Sequence, residues 1–194
     1  VDVAIMGAGY TGMWTAYYLL QRDPSLRVAV VEREIAGFGA SGRNGGWCYP
    51  GFPVSGSLLA ERYGIETARA VSRAMYDTYH EIDRVVRSEG IDAQWKEGGA
   101  LRLARGEHER PSIEGGYQAA QALGLGDHYQ LLDAKQTADL VRVSDVVAGL
   151  YNPTAASIHP ARLARGLARV IEADGATIYE QTPVTDFEGG ANPR

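Results

Sequence analysis

The chain opens on a short apolar run, Val1–Met6, stopped abruptly by Gly7, a pattern that predicts a buried strand. Met13, Ala16, Tyr17 and Leu20 then recur at helical spacing between Gly12 and Arg22, and Pro24 closes the segment. Leu26–Glu32 (LRVAVVE) predicts a second buried strand rich in β-branched residues. Strand, helix and strand within about thirty residues make one βαβ unit with a parallel pair.

The rhythm breaks over 36–57, where Gly, Ser, Asn and Pro accumulate without a long apolar period. A loop of that length inside a folded domain is expected to serve a function. From Ile65 to Glu89 apolar residues return at 65, 68, 71, 75, 79, 82 and 86, which predicts a long amphipathic helix ended by Gly90. Gln94–Ala104 predicts two short strands around the turn Glu97-Gly98-Gly99. Glu107–Leu123 follows as helix, Tyr129–Leu132 as strand, Ala134–Val141 as short helix and Val147–Tyr151 as strand. His159-Pro160 opens a last helix to Asp174, with proline at its first position and Gly175 at its end. Ala176–Thr182 and Val184–Phe187 complete the expectation as strands. The fold class is therefore α/β, with 94–151 standing apart in character as a piece of a second, mixed α+β domain.

Composition narrows the function. With 45% hydrophobic and 22% charged residues the chain is globular, and its net charge of −5 comes without a basic stripe, which argues against a nucleic-acid partner. One cysteine, Cys48, leaves no disulfide framework and no Cys-rich zinc site, and the four histidines show no metal-ligand spacing. The default compartment is the reducing cytoplasm. Residues 3–20 carry no charge, but three glycines interrupt them and Asp2 stands where a signal peptide needs a base, so no membrane span is expected. The chain begins inside its first strand, at Val1, which suggests that residues preceding it have been removed.

The 24 glycines of 194 residues fall in clusters, and the clusters carry the chemistry. Gly7-Ala8-Gly9-Tyr10-Thr11-Gly12 is GxGxxG, set between a strand and a helix, with an acid, Glu32, at the end of the next strand. In that setting Gly7 permits the tight turn, Gly9 lets the backbone reach a pyrophosphate, and Gly12 allows the helix to pack on the strand. The helix N-terminus offers N–H groups to phosphates, and Glu32 offers oxygens to ribose hydroxyls. An acid at that position opposes a 2′-phosphate. The first motif does not separate NAD from FAD. The second cluster, Gly37-Phe38-Gly39-Ala40-Ser41-Gly42-Arg43-Asn44-Gly45-Gly46, favours FAD, whose length calls for a further surface of backbone donors, a hydroxyl, a guanidinium and an amide. An NAD-dependent dehydrogenase and a nucleotide-binding module without catalysis are the alternatives.

These segments, VDVAIMGAGYTGMWTAYYL, VVERE and GFGASGRNGG, resemble the FAD-dependent D-amino-acid-oxidase superfamily, and the GASGRNGG form resembles its amine-oxidising branch. A later block agrees: Leu150–Pro153, Ile158–Leu163, Gly175–Glu180 and Pro183-Val184. The resemblance covers residues 1 to about 188. It implies a Rossmann-like FAD-binding domain formed by 1–93 and 152–194, with 94–151 as the first part of the substrate domain. It implies that Gly7, Gly9 and Gly12 lie on the pyrophosphate, Glu32 on the adenosine ribose and Arg33 beside the adenine. Ser41, Arg43, Asn44 and Gly46 would line the pyrophosphate, ribityl chain and flavin, and the main chain of Val184 would meet the adenine. The implied activity is oxidation of the C–N bond of a small amine or amino acid, with an unidentified electron acceptor such as oxygen. Catalytic residues are not assigned, and the family pattern implies a protein about twice as long. Trp47 and Tyr49 are read either as a cap on the cofactor or as core, Cys48 as a buried thiol, and His159 as a helix cap.

Overall fold

The computed structural model describes residues 1–190; the last four residues of the expected 152–194 segment lie outside the described residues. The chain forms two compact units. One comprises 1–46, 85–95 and 158 onward, and the other comprises 47–84 and 96–157. The expected division assigned 47–84 to the first unit. In the structure this segment packs with the second, because the long helix it contains turns Tyr76 onto Asn152 there.

The first unit is built on a parallel sheet. Strands β1 (Val3–Met6) and β2 (Val28–Val31) pair in register from Val3 opposite Val28 to Met6 opposite Val31, joined by helix α1 (Tyr10–Arg22). After the short helical turn α2 (Ala40–Arg43) the unit leaves the sheet, and it returns through helix α7 (Pro160–Ala173) to strand β9 (Thr177–Tyr179) on the other edge of β2. Leu163, Ala164, Leu167, Ala168 and Ile171 form one buried face of α7, as helical spacing requires, while Met13, Ala16, Tyr17 and Leu20 form that of α1. Leu167 is fully buried, so Leu167→Ala would cost about 2–5 kcal/mol. His159 caps α7, its Nδ1 accepting the Arg162 N–H at 3.4 Å. Residues 184–187 are not a strand. Gln181 and Thr182 donate to the carbonyls of Glu34 and Glu32, but among the described residues nothing pairs with the chain beyond, and Val184 and Phe187 are exposed.

The second unit starts at strand β3 (Trp47–Cys48), continues through helix α3 (Gly56–Tyr63), and holds most of helix α4 (Ile65–Ser88). Strands β4 (Lys96–Glu97) and β5 (Ala100–Arg105) form where two were expected, but they do not pair with each other. The glycines between them carry the chain from one sheet into another. β4 joins β3 across strand β8 (Ala156–Ser157) in a narrow antiparallel ribbon. β5 instead flanks β7 (Val146–Asn152), with β6 (Gln130–Asp133) on the other side. Helix α5 (Arg110–Ala122) packs Ile113 on Ala104, Ala148 and Leu150 of this sheet. Helix α6 (Ala134–Leu140) begins with a reciprocal cap between Asp133 and Gln136, which satisfies two backbone donors. Among the described residues no helix is long and apolar enough to cross a membrane.

Candidate functional site

The turn from β1 into α1 has the geometry its glycines demand. Gly7 adopts φ +96°, a conformation L side chains rarely take, and a Cβ on Gly12 would lie 2.1 Å from the Gly7 carbonyl oxygen. Only glycine at 12 lets the helix start so close to the strand. The amides of Thr11 and Gly12 stand in the first turn, where an α-helix supplies them no carbonyl. Around Gly7, Gly39 and Gly45 a side chain would meet nothing within 4 Å, so these backbones face open space.

Glu32 follows β2 directly. Its Oε2 accepts the N–H of Ala8 at 2.8 Å and its Oε1 accepts the N–H of Glu34 at 2.9 Å. Two backbone donors thus fix the carboxylate beside the glycine turn, and each oxygen keeps acceptor capacity for a second partner. The main chain repeats the tie, because Gly37 donates to the Ala8 carbonyl at 2.9 Å.

The second glycine cluster meets the first through Ser41, whose Oγ accepts the N–H of Tyr10 at 2.9 Å and would lie 3.1 Å from a Cβ on Gly9. The structure therefore brings Gly7, Gly9, Gly12, Glu32 and Ser41 to one place. Arg43 lies with its guanidinium carbon 3.9 Å from the centre of the Phe38 ring, a cation–π contact that holds an exposed charge in position. Asn44 is engaged within its own loop: Nδ2 donates to the carbonyls of Ala40 and Ser41, and Oδ1 accepts the Gly46 N–H. Gly46 is buried at φ +73°, and a Cβ there would lie 2.3 Å from the Ile158 carbonyl. Arg33 is largely exposed and pairs with Glu34 at 3.4 Å. Val184 follows two residues after Thr182, whose N–H donates to the Glu32 carbonyl at 2.8 Å.

In the second unit, Trp47 is 86% exposed and so is not core. Cys48 is half-buried, and burial together with the Asp83 carboxylate pushes its thiol up to about 11. Such a thiol is protonated at neutral pH and a poor nucleophile. Tyr49 bonds Tyr129, hydroxyl to hydroxyl, at 2.8 Å, and Asn152, itself 1% exposed, donates to the Tyr76 hydroxyl at 2.8 Å. Burial and the Tyr129 contact push the Tyr49 phenol up to about 12. Trp47, Cys48, Tyr49, Tyr129 and Asn152 border a cavity of about 700 Å³. Sequence reasoning missed this cluster, since Tyr49 and Tyr129 lie 80 positions apart and no periodicity connects them.

Comparison with known proteins supplies the context for these two features. Residues 2–193 match the DAO family, described as FAD dependent oxidoreductase. Over 187 residues the chain is 30% identical to gamma-glutamylputrescine oxidoreductase of Escherichia coli (strain K12), covering 96% of this chain and 43% of that protein. The crystal structure of glycine oxidase from Geobacillus kaustophilus superposes with a TM-score of 0.71 at 27% identity, over 96% of this chain and 48% of that one. An FAD-bound L-alpha-glycerophosphate oxidase from Mycoplasma pneumoniae shares the fold, with a TM-score of 0.76 at 24% identity over 98% of this chain and 47% of that one. The chain spans less than half the length of these relatives.

Proposed function

This chain belongs to the DAO family of FAD-dependent oxidoreductases, and from that premise we propose that its first unit holds FAD and that the protein oxidises the C–N bond of a small amine or amino acid. The observation that carries the cofactor reading is the Glu32 carboxylate, fixed by Ala8 and Glu34 amides beside a glycine turn whose backbone faces open space. The residues present fit the group. Gly7, Gly9 and Gly12 offer close backbone approach for the pyrophosphate, and Glu32 retains lone pairs for the ribose hydroxyls. Ser41 and Arg43 extend the polar surface toward the flavin end. Arg33 and the main chain of Val184 take the adenine side. Asn44 and Gly46 act by shaping the loop that presents Arg43, since the Asn44 amide is engaged within it.

Bound FAD supplies the two-electron acceptor for the hydride that leaves the carbon beside nitrogen. The nitrogen lone pair forms the C=N bond of the iminium product, so the amine must enter neutral. The second unit, the substrate side of this reading, has to seat the C–H bond and exclude water. The relatives favour an amine over other reductants, through the names gamma-glutamylputrescine oxidoreductase and glycine oxidase.

Two measurements test the reading. The purified protein should show a flavin spectrum, and acid precipitation should leave the colour in the supernatant. Anaerobic addition of amines or amino acids to the full-length FAD-loaded protein should bleach the flavin. A colourless protein that fails to take up added FAD sinks the cofactor reading, and a flavin bleached only by compounds without nitrogen sinks the amine reading.

A further inference from the structure

Strand β9 ends at Tyr179, and the chain leaving it runs beside the segment that leaves β2. Main-chain bonds hold the first part of that segment. Glu32 donates to the Tyr179 carbonyl at 2.9 Å, Thr182 to the Glu32 carbonyl at 2.8 Å, and Gln181 to the Glu34 carbonyl at 2.7 Å. Gln181 sits at φ +51° to do so, a left-handed conformation that residues with a Cβ rarely adopt, so the surrounding packing enforces this turn.

Beyond Glu34 a side chain takes over from the main chain. Oε1 of Glu180 accepts the Ala36 N–H at 2.9 Å and also the Nη1 donor of Arg165, from α7. Ala36 is 2% exposed, so water is a poor substitute for that acceptor once it is lost. The Ala36 N–H, and after it the Arg165 guanidinium, hold the Glu180 carboxyl below the usual carboxylate range, which keeps it charged at neutral pH. Both members of the ion pair are partly exposed, and such a pair contributes little by itself. Its effect is to fix the carboxylate where the Ala36 amide meets it.

Ala36 stands at the entry to the second glycine cluster. The next residue, Gly37, donates to the Ala8 carbonyl of the first cluster, and a Cβ on it would lie 2.7 Å from Ala164 Cβ on α7. A Cβ on Gly42 would lie 2.2 Å from the Gly37 carbonyl oxygen. The loop is therefore packed tightly where it begins and where it folds back. The path of the chain through Ala36 sets where Ser41 and Arg43 stand relative to the Gly7–Gly12 turn.

We propose that Glu180 is a positioning residue for FAD: by gripping the Ala36 amide, with Arg165 behind it, Glu180 sets the 37–46 loop at the flavin end of the site, while main-chain bonds alone secure the adenosine end. The inference rests on the placement of that loop at the flavin end, and its test separates the two.

The test is titration of the full-length protein, stripped of flavin, with FAD and with ADP, which lacks the ribityl chain and flavin. The parent should bind FAD more tightly than ADP. Glu180→Ala removes the acceptor and should weaken FAD about tenfold while leaving ADP within about twofold. Glu180→Gln keeps an oxygen for the Ala36 N–H and should recover most of the FAD affinity, although the charge is gone. Arg165→Met leaves the carboxylate present but unpinned and should weaken FAD about threefold with ADP unchanged. That variant decides the matter if Glu180→Ala fails to fold, and a loss that does not favour one ligand then counts against the inference. Equal losses for FAD and ADP, unchanged FAD affinity in a folded Glu180→Ala, or Glu180→Gln no better than Glu180→Ala overturns the inference and leaves the FAD site standing. A parent that binds FAD no more tightly than ADP refutes the flavin-end placement of the loop, and the role of Glu180 falls with it.

Discussion

Removing one oxygen from Glu32 should damage FAD binding through two separable routes. Both oxygens are already in use, Oε2 by the Ala8 N–H and Oε1 by the Glu34 N–H. Glu32→Gln leaves one acceptor for two backbone donors, so an amide N–H must face another N–H. Ala8 is fully buried, and an unsatisfied buried donor costs about 1–3 kcal/mol, which should appear as a lower melting temperature of the apoprotein. The second route is direct. A ribose hydroxyl bonded to a carboxylate contributes about 1.5–3 kcal/mol, so FAD should bind roughly ten- to a hundredfold more weakly. Quenching of flavin fluorescence during titration of the apoprotein measures that loss. ADP and 2′,3′-dideoxy-ADP then separate the routes, since the second lacks the hydroxyls. Glu32→Gln should weaken ADP strongly and dideoxy-ADP little. Equal weakening of both would show that Glu32 acts only as a brace for the turn, and unchanged FAD affinity in a folded variant would remove it from the site altogether.

Gly12→Ala should destabilise the first unit by at least about 1–3 kcal/mol, because its methyl would stand 2.1 Å from the Gly7 carbonyl and neither backbone can yield; a melting curve matching the parent would refute this. Arg43→Ala should lower FAD affinity while leaving the rank order of amine substrates intact, and a changed rank order with normal FAD content would move Arg43 to the substrate. For Cys48, the group is an acid whose pKa is raised, so its thiolate is absent below about 11 and appears as pH climbs through that value. Iodoacetamide labelling should therefore stay slow at pH 8 and inflect near 11; an inflection near 9 would mean the thiol is open to solvent.

The βαβ unit was legible because its signals are local: glycine spacing, a β-branched run and an acid at a fixed distance all act within 32 residues. The roles inside the second glycine cluster were less so. Composition marked Asn44 as a donor to the cofactor, but a short amide next to a helical turn finds nearer acceptors in Ala40 and Ser41. Strand β8 escaped notice because two residues carry no period, yet it bonds β3 on one side and β4 on the other. Val184–Phe187 shows the converse, a segment expected as a strand that finds no strand to pair with among the described residues.

The place of β9 beside β2 has a consequence for how the chain is made. β2 lies between β1 and β9, so its second edge is closed by residues that leave the ribosome only after the whole of 32–176 has been translated. At about 5–20 residues per second that interval is on the order of ten seconds. Throughout it Val28–Val31, four consecutive apolar residues, presents bare N–H and C=O groups to any other strand in reach. Synthesis is thus the time of greatest exposure to mispairing, and a chaperone that shields nascent β2 should raise the soluble yield more than any substitution that stabilises the finished sheet.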